Sequence, residues 1–165
     1  MARAGTVILV IGVQGSGKSW ACRQLADEFR YIPHDRCWRH PTAKPAAGLD
    51  PKWGPPGSVN THFETLVTAA RRGGGPILTE APFDERRLKG RLEAQGVKVI
   101  PVFVVEKWPL IEGRYMAREG KKPPPGVKER AEKLEARAKE WEAFFGTSDE
   151  VLRHLKSLAA PKKSA

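Results

Sequence analysis

Three observations in the 165-residue chain predict an α/β fold with a mainly parallel sheet. Thr6-Val7-Ile8-Leu9-Val10-Ile11 is an unbroken aliphatic run, the pattern of a strand buried on both faces. A glycine-rich stretch from Gly12 to Gly17 follows at once and opens into helical spacing. Strand-like and helix-like segments then alternate along the rest of the chain.

Each element has its own signal. From Lys18 to Phe29, apolar Trp20, Leu25 and Phe29 recur at helical spacing. Tyr31-Ile32-Pro33 reads as a second, short strand leading to His34-Asp35. Residues 36–57 hold five prolines and three glycines, which excludes a regular helix and suggests a functional loop. Ser58 is placed to cap a helix running to about Arg72, where Gly73-Gly74-Gly75 stops it. Pro76 to Glu80 reads as a third strand, Asp84 to Gln95 as a third helix and Val97 to Val105 as a fourth strand. Pro101 within that fourth strand predicts an edge or a bulge. A helix is expected from about Pro109 to Arg118, then a break at Gly120 to Gly126. The spacing of Val127, Ala131, Leu134, Ala138, Trp141 and Phe145 predicts one helix over 127–145 with an apolar seam for core packing. A short helix at 149–158 and a basic tail complete a single expected domain, 1–158, followed by 159–165.

Composition bounds the partners. The chain is 40% hydrophobic and 29% charged, which argues against wholesale disorder. No apolar run has the length of a membrane span or of a signal peptide. Two cysteines, Cys22 and Cys37, are too few for a disulfide scaffold, so a reduced, cytoplasmic protein is expected. The four histidines are scattered, and no zinc site is indicated. Lys and Arg total 29 against 19 Asp and Glu, a formal net charge of +10. That surplus favours polyanionic partners, nucleic acid first, with solubility as the plain alternative.

Gly12-Val13-Gln14-Gly15-Ser16-Gly17-Lys18-Ser19 matches G-x-x-x-x-G-K-[ST] between a buried strand and a helix. In that setting, loop N–H groups surround phosphate oxygens and the helix N-terminus adds partial positive charge. Lys18 is placed for the β- and γ-phosphates and Ser19 for Mg²⁺, which makes ATP with Mg²⁺ the expected cofactor. Asp35, at the end of the second strand, is placed as a general base for an alcohol acceptor. Glu80, at the end of the third, can hold Mg²⁺ through water, orient the acceptor or Asp35, or neutralise Lys18. Arg114 and Arg118 share a helical face before a Gly/Pro-rich break. With Lys121, Lys122, Lys128 and Arg130 they suggest a lid over 114–130 that brings guanidinium groups to the phosphates.

Taken together, Gly12–Ser19, Tyr31-Ile32-Pro33-His34-Asp35-Arg36 and Arg114-x-x-x-Arg118-x-Gly-Lys resemble the P-loop kinase domain of bacteriophage polynucleotide kinases. They are similar also to the phage kinases that phosphorylate hydroxymethyluracil in DNA. The resemblance covers most of residues 5–145. It implies a kinase-type P-loop NTPase fold, a three-layer sandwich with four or five mainly parallel strands and a helical lid. It casts Lys18 and Ser19 as nucleotide and Mg²⁺ ligands, Asp35 as general base and Arg118 as the lid arginine. Trp38 stands where those kinases carry an arginine for substrate phosphate, and Glu80 where they commonly have Asp. Arg36, Arg39, Lys44 and Lys52 are then expected to meet nucleic-acid phosphates, and Trp38 or Trp53 to stack on a base or anchor the loop. The function expected is transfer of the γ-phosphate of ATP to a hydroxyl of nucleic acid, DNA before RNA. The acceptor is a 5′-hydroxyl end or a hydroxymethyl pyrimidine. The alternatives are a small-metabolite or nucleotide kinase, or a nucleic-acid-dependent ATPase.

Overall fold

The computed structural model describes residues 5–34, 59–81 and 85–159. Within them, five strands form one parallel sheet: β1 (Thr6–Ile11), β2 (Arg30–Ile32), β3 (Ile77–Ala81), β4 (Lys98–Val104) and β5 (Phe144–Gly146), in the order β2-β3-β1-β4-β5. The helices are α1 (Lys18–Gln24), α2 (Val59–Arg72), α3 (Glu85–Ala94), α4 (Trp108–Glu119), α5 (Gly126–Glu140) and α6 (Ser148–Leu158).

The aliphatic run becomes the central strand because both of its faces need cover. Val7, Leu9 and Ile11 pack on one side with Leu66 and Ala70 of α2, Leu92 of α3, Ile111 of α4 and Leu134 of α5. Ile8 and Val10 pack on the other with Ala21 and Cys22 of α1 and Val151 and Leu155 of α6. This is the three-layer sandwich expected. β1 is hydrogen-bonded along its length to β3 and β4, so its end is a fixed point from which the glycine-rich loop departs.

Three elements differ from their sequence expectation. Pro101 sits within β4 with no bulge, at register with Leu9. Lys98 N–H donates to Gly5 O, so even-numbered residues of β4 turn their amides toward β1 and Pro101 faces the opposite side. There β5 begins only at Val102, and no ladder bond is lost. Helix α1 ends at Gln24 and not at Phe29; residues 25–29 are turns closed by Glu28 N–H and Phe29 N–H on Leu25 O.

The helix expected over 127–145 stops at Glu140, and a three-residue strand, β5, follows. Glu142 takes φ 53° while Ala143 N–H bonds Ala138 O and Glu142 N–H bonds Lys139 O, the bond pair of a Schellman ending. A non-glycine residue there costs about 1 kcal/mol. Trp141 still packs on the core, edge-on to Phe103 at 5.7 Å, so the apolar seam holds one residue past the helix. Phe145 instead is 38% exposed on β5. The expected Ser58 cap lies outside the described residues.

Arg130, expected as a lid cation, is paired with a carboxylate. It and Arg137, both on α5, grip the carboxylate of Glu85 in the first turn of α3. The Arg130 contact is 2.7 Å and the Glu85 side chain is 1% exposed. Burial opposes ionisation of Glu85, but hydrogen bonds from Arg130 and Arg137 outweigh it and hold the carboxyl below its usual value of 4.5. A carboxyl lowered in this way adds stability above the ordinary carboxylate range, and that stability is lost as pH falls through the lowered value. Glu85→Gln is expected to cost about 1.5–3 kcal/mol near pH 7. In urea unfolding series, the gap between wild type and variant should narrow below pH 4.5.

Candidate phosphate-binding site

The loop after β1 is shaped by its glycines. Gly15 and Gly17 have φ of +87° and +95°, a region that side-chain-bearing residues avoid. A Cβ at Gly15 would lie 2.9 Å from Ile111 O, and one at Gly17 would lie 2.8 Å from Ser148 Cβ. The loop is thus pressed between α4 and the start of α6. Ser16 N–H closes a turn on Val13 O at 3.1 Å. The Ser16 side chain is fully buried, and its hydroxyl has no hydrogen-bond partner. Lys18 is buried with Nζ 3.5 Å from Val13 O. Helix α1 starts at Lys18 with no acidic residue in its own first turn.

A cavity of about 450 Å³ opens on this loop, lined by Gly15, Gly17, Lys18, Ser19, Trp20, Arg23, Arg114 and Arg118. Four of these are cationic and none is acidic. A second space of about 280 Å³ adjoins it through Gly17, Trp20 and Arg114, with Ser148 and Asp149 on its far wall. The expectation that Arg114 and Arg118 share a face is met, since both line the larger cavity. Their surroundings differ. Arg118 is half-exposed and pairs with neighbouring Glu119 at 3.1 Å. Arg114 reaches the loop itself, 3.1 Å from Ser16 O and 3.4 Å from Gly15 O. Gln14 is exposed on the loop. Loop, basic lining, unsatisfied Ser16 hydroxyl and Ser19 fit a nucleotide polyphosphate with Mg²⁺.

Glu80 is buried at the end of β3, 2% exposed. Tyr31 O–H lies 2.9 and 3.0 Å from its two oxygens, and His34 N–H donates to it at 3.3 Å. The carboxylate therefore holds the end of β2. Burial, with Glu80 beside it, pushes the Tyr31 hydroxyl above its usual range and the Cys22 thiol likewise. Behind them, His62 Nε2 lies 2.9 Å from Thr79 Oγ1, whose hydroxyl donates to Ile32 O at 2.7 Å, and His34 meets the His62 ring edge-on at 4.9 Å. Asp35, Arg36, Trp38 and Arg39, with Cys37, Lys44, Lys52 and Trp53, lie outside the described residues.

Sequence reasoning missed the parts played by Tyr31 and Glu106 at the strand ends and by His62 behind them. Glu106, just past β4, accepts from Ser148 N–H and O–H at 2.9 Å each. For Tyr31, a signal exists in hindsight: its side chain shares a strand rim with Glu80 once β2 is known to pair with β3. No local pattern marks Glu106 or His62.

No protein-family model matches the chain, and no curated protein matches it. Solved structures do. The tunicamycin resistance protein of Deinococcus radiodurans is similar with a TM-score of 0.67 at 16% identity, over 98% of this chain and 99% of that one. A gluconokinase from Sinorhizobium meliloti 1021 has a TM-score of 0.54 at 20% identity, over 96% and 92%. Shikimate kinase from Acinetobacter baumannii, solved with shikimate, has a TM-score of 0.54 at 14% identity, over 93% and 92%. At these identities the likeness is one of fold: the α/β sandwich on a five-stranded parallel sheet that the sequence predicts. The finer resemblance, to phage polynucleotide kinases, finds no support among these matches.

Burial, then the neighbouring His34, lowers His62 from 6.5 to about 3, so it is neutral in the folded chain. Between those values the unfolded chain binds the extra proton, and stability falls as pH drops from 6.5 toward 3. His62→Gln removes this titration. Its unfolding free energy should therefore decline less steeply than that of wild type over this window in chemical denaturation.

Proposed function

We propose that this chain is an ATP- and Mg²⁺-dependent phosphotransferase with an alcohol group of a small metabolite as acceptor. The carrying observation is the cavity on the glycine loop, whose lining among the described residues holds four cations and no acid, at the start of a helix with no acidic residue in its own first turn. Few ligands other than a polyphosphate suit such a lining. The choice of a small acceptor is supported by the solved structures of the same fold, which include a gluconokinase and a shikimate kinase bound to shikimate.

In this reading the loop from Gly12 to Ser19, Gln14 included, surrounds the phosphates with N–H groups other than that of Ser16, whose hydroxyl is open to them, and Lys18 neutralises charge at the β- and γ-positions. Ser19 supplies a ligand for Mg²⁺, which when bound offsets phosphate charge. Asp35, the residue after His34, accepts the proton of the acceptor hydroxyl. The freed oxygen forms the new bond to γ-phosphorus as the bond from γ-phosphorus to the β,γ-bridging oxygen breaks, leaving ADP. Arg118, on the cavity wall, meets charge on the transferring group. Glu80 holds the β2 end, which favours its role in orienting the acceptor side over that of neutralising Lys18. Arg36, Trp38 and Arg39 belong to the acceptor side.

A second reading keeps nucleic acid as the acceptor, favoured by the formal net charge of +10. Transfer of labelled γ-phosphate to a panel separates the two. The panel holds gluconate, shikimate, nucleosides, mononucleotides, a 5′-hydroxyl oligonucleotide and an end-blocked duplex with hydroxymethyluracil. Label on small acceptors is expected; label confined to the oligonucleotide or duplex would install the nucleic-acid reading, and label on none would overturn phosphotransfer. Asp35→Asn should lower kcat by about 10²–10⁴ with ATP affinity unchanged, as loss of a general base does. Full activity in that variant would remove Asp35 from the mechanism.

A further inference from the structure

Arg114 is bound to the loop in a way that phosphate contact does not explain. Its guanidinium donates to Ser16 O at 3.1 Å and lies 3.4 Å from Gly15 O, both main-chain acceptors. It also stands 3.8 Å from Glu106, whose side chain is only 7% exposed. Glu106 is in turn fixed by Ser148 N–H and O–H at the first residue of α6. A chain of charge-assisted contacts thus runs from the α6 N-terminus through Glu106 and Arg114 to the loop.

Peptide planarity gives this chain a consequence. In a trans peptide the N–H points opposite to the C=O of the same unit. Holding Ser16 C=O on Arg114 fixes the plane of the Ser16–Gly17 peptide, and with it the direction of the Gly17 N–H. Gly17 has no side chain to stop the swing, and its φ of +95° lies where glycine alone is at ease. Something outside the loop must fix it.

We infer that Glu106 is a positioning residue for the phosphate loop, acting through Arg114, and that the Arg114 guanidinium serves to hold loop carbonyls rather than to meet the transferring phosphate. The inference rests on the proposed function only in taking the loop as a polyphosphate cradle. Arg118, on the same face and without such a tether to the loop, is left for the phosphate.

Glu106→Gln, Arg114→Met, Arg114→Lys and the Gln/Met double variant test this by calorimetric titration with tripolyphosphate and with MgATP. Amide hydrogen exchange of residues 15–19 is followed in the ligand-free chain. Glu106→Gln and Arg114→Met should each weaken tripolyphosphate binding roughly tenfold, the lower range for one lost charge-assisted contact. Both should speed exchange across residues 15–19 by more than they speed it in the strands, so that the local opening exceeds any fall in global stability. The double variant should lose no more than the worse single, and Arg114→Lys should recover part of the loss. Wild-type affinity and exchange in Glu106→Gln, or additive losses in the double variant, would overturn the inference. So would an Arg114→Met variant that keeps affinity and loop exchange yet loses kcat, since that places the guanidinium on the transferring phosphate. Should Glu106→Gln fail to fold, the Arg114 pair carries the same reading. The expected binding losses beside a wild type that phosphorylates no acceptor would support the inference while overturning the phosphotransferase reading.

Discussion

A phosphate cradle made of main chain must leave amides unpaired without letting the chain close on itself, and the rest of this structure serves that requirement. β1 is bonded on both edges and sealed on both faces, so the loop leaves from a point that cannot shift. Gly15 and Gly17 admit the left-handed backbone the loop needs, and the absence of Cβ lets Ile111 O and Ser148 come against it. Those contacts come from elements distant in sequence, α4 and α6, so the loop's shape is a tertiary property. Ser16, buried with an unsatisfied hydroxyl, shows what the arrangement costs before a ligand arrives.

The carboxylates explain how a basic cavity can survive in a folded chain. Glu80 in the last residues of β3, Glu85 after that strand and Glu106 after β4 are each buried at the side chain and hydrogen-bonded. Glu80 takes the end of β2, Glu85 takes two arginines of α5, and Glu106 takes the start of α6. Each is spent on joining elements. Among the described residues, the charged side chains on the cavity wall are Lys18, Arg23, Arg114 and Arg118. Those four cations are part of the formal net charge of +10, the rest of which lies outside the cavity.

Much of this was legible from residue order alone. The Thr6–Ile11 run, the loop pattern and the alternation of segments predict the sheet and the site at its edge, because each depends on local spacing. The pairing of Arg114 with Arg118 was legible for the same reason, four residues being one helical turn. What was not legible depends on partners far apart in sequence. Phe144–Gly146 is too short to break the helical seam on paper, and only the turn at Glu142 and the exposed flank of β4 make it a strand. Arg130 reads as a lid cation until Glu85 is placed beside it. Glu106 and Ser148 carry no pattern that links them.

The strand order also has a consequence for the way the chain is made. β1 precedes both of its neighbours in synthesis: Val7 must wait for Ile77 on one edge and Val99 on the other. Until then an uncharged, β-branched segment with two open edges is exposed, the composition most apt to pair with another chain. Contacts this distant are slow to form because loop closure precedes any reward. The same strand that fixes the phosphate loop in the finished protein is therefore its chief hazard during biosynthesis, and its safety then depends on how quickly β3 and β4 follow it.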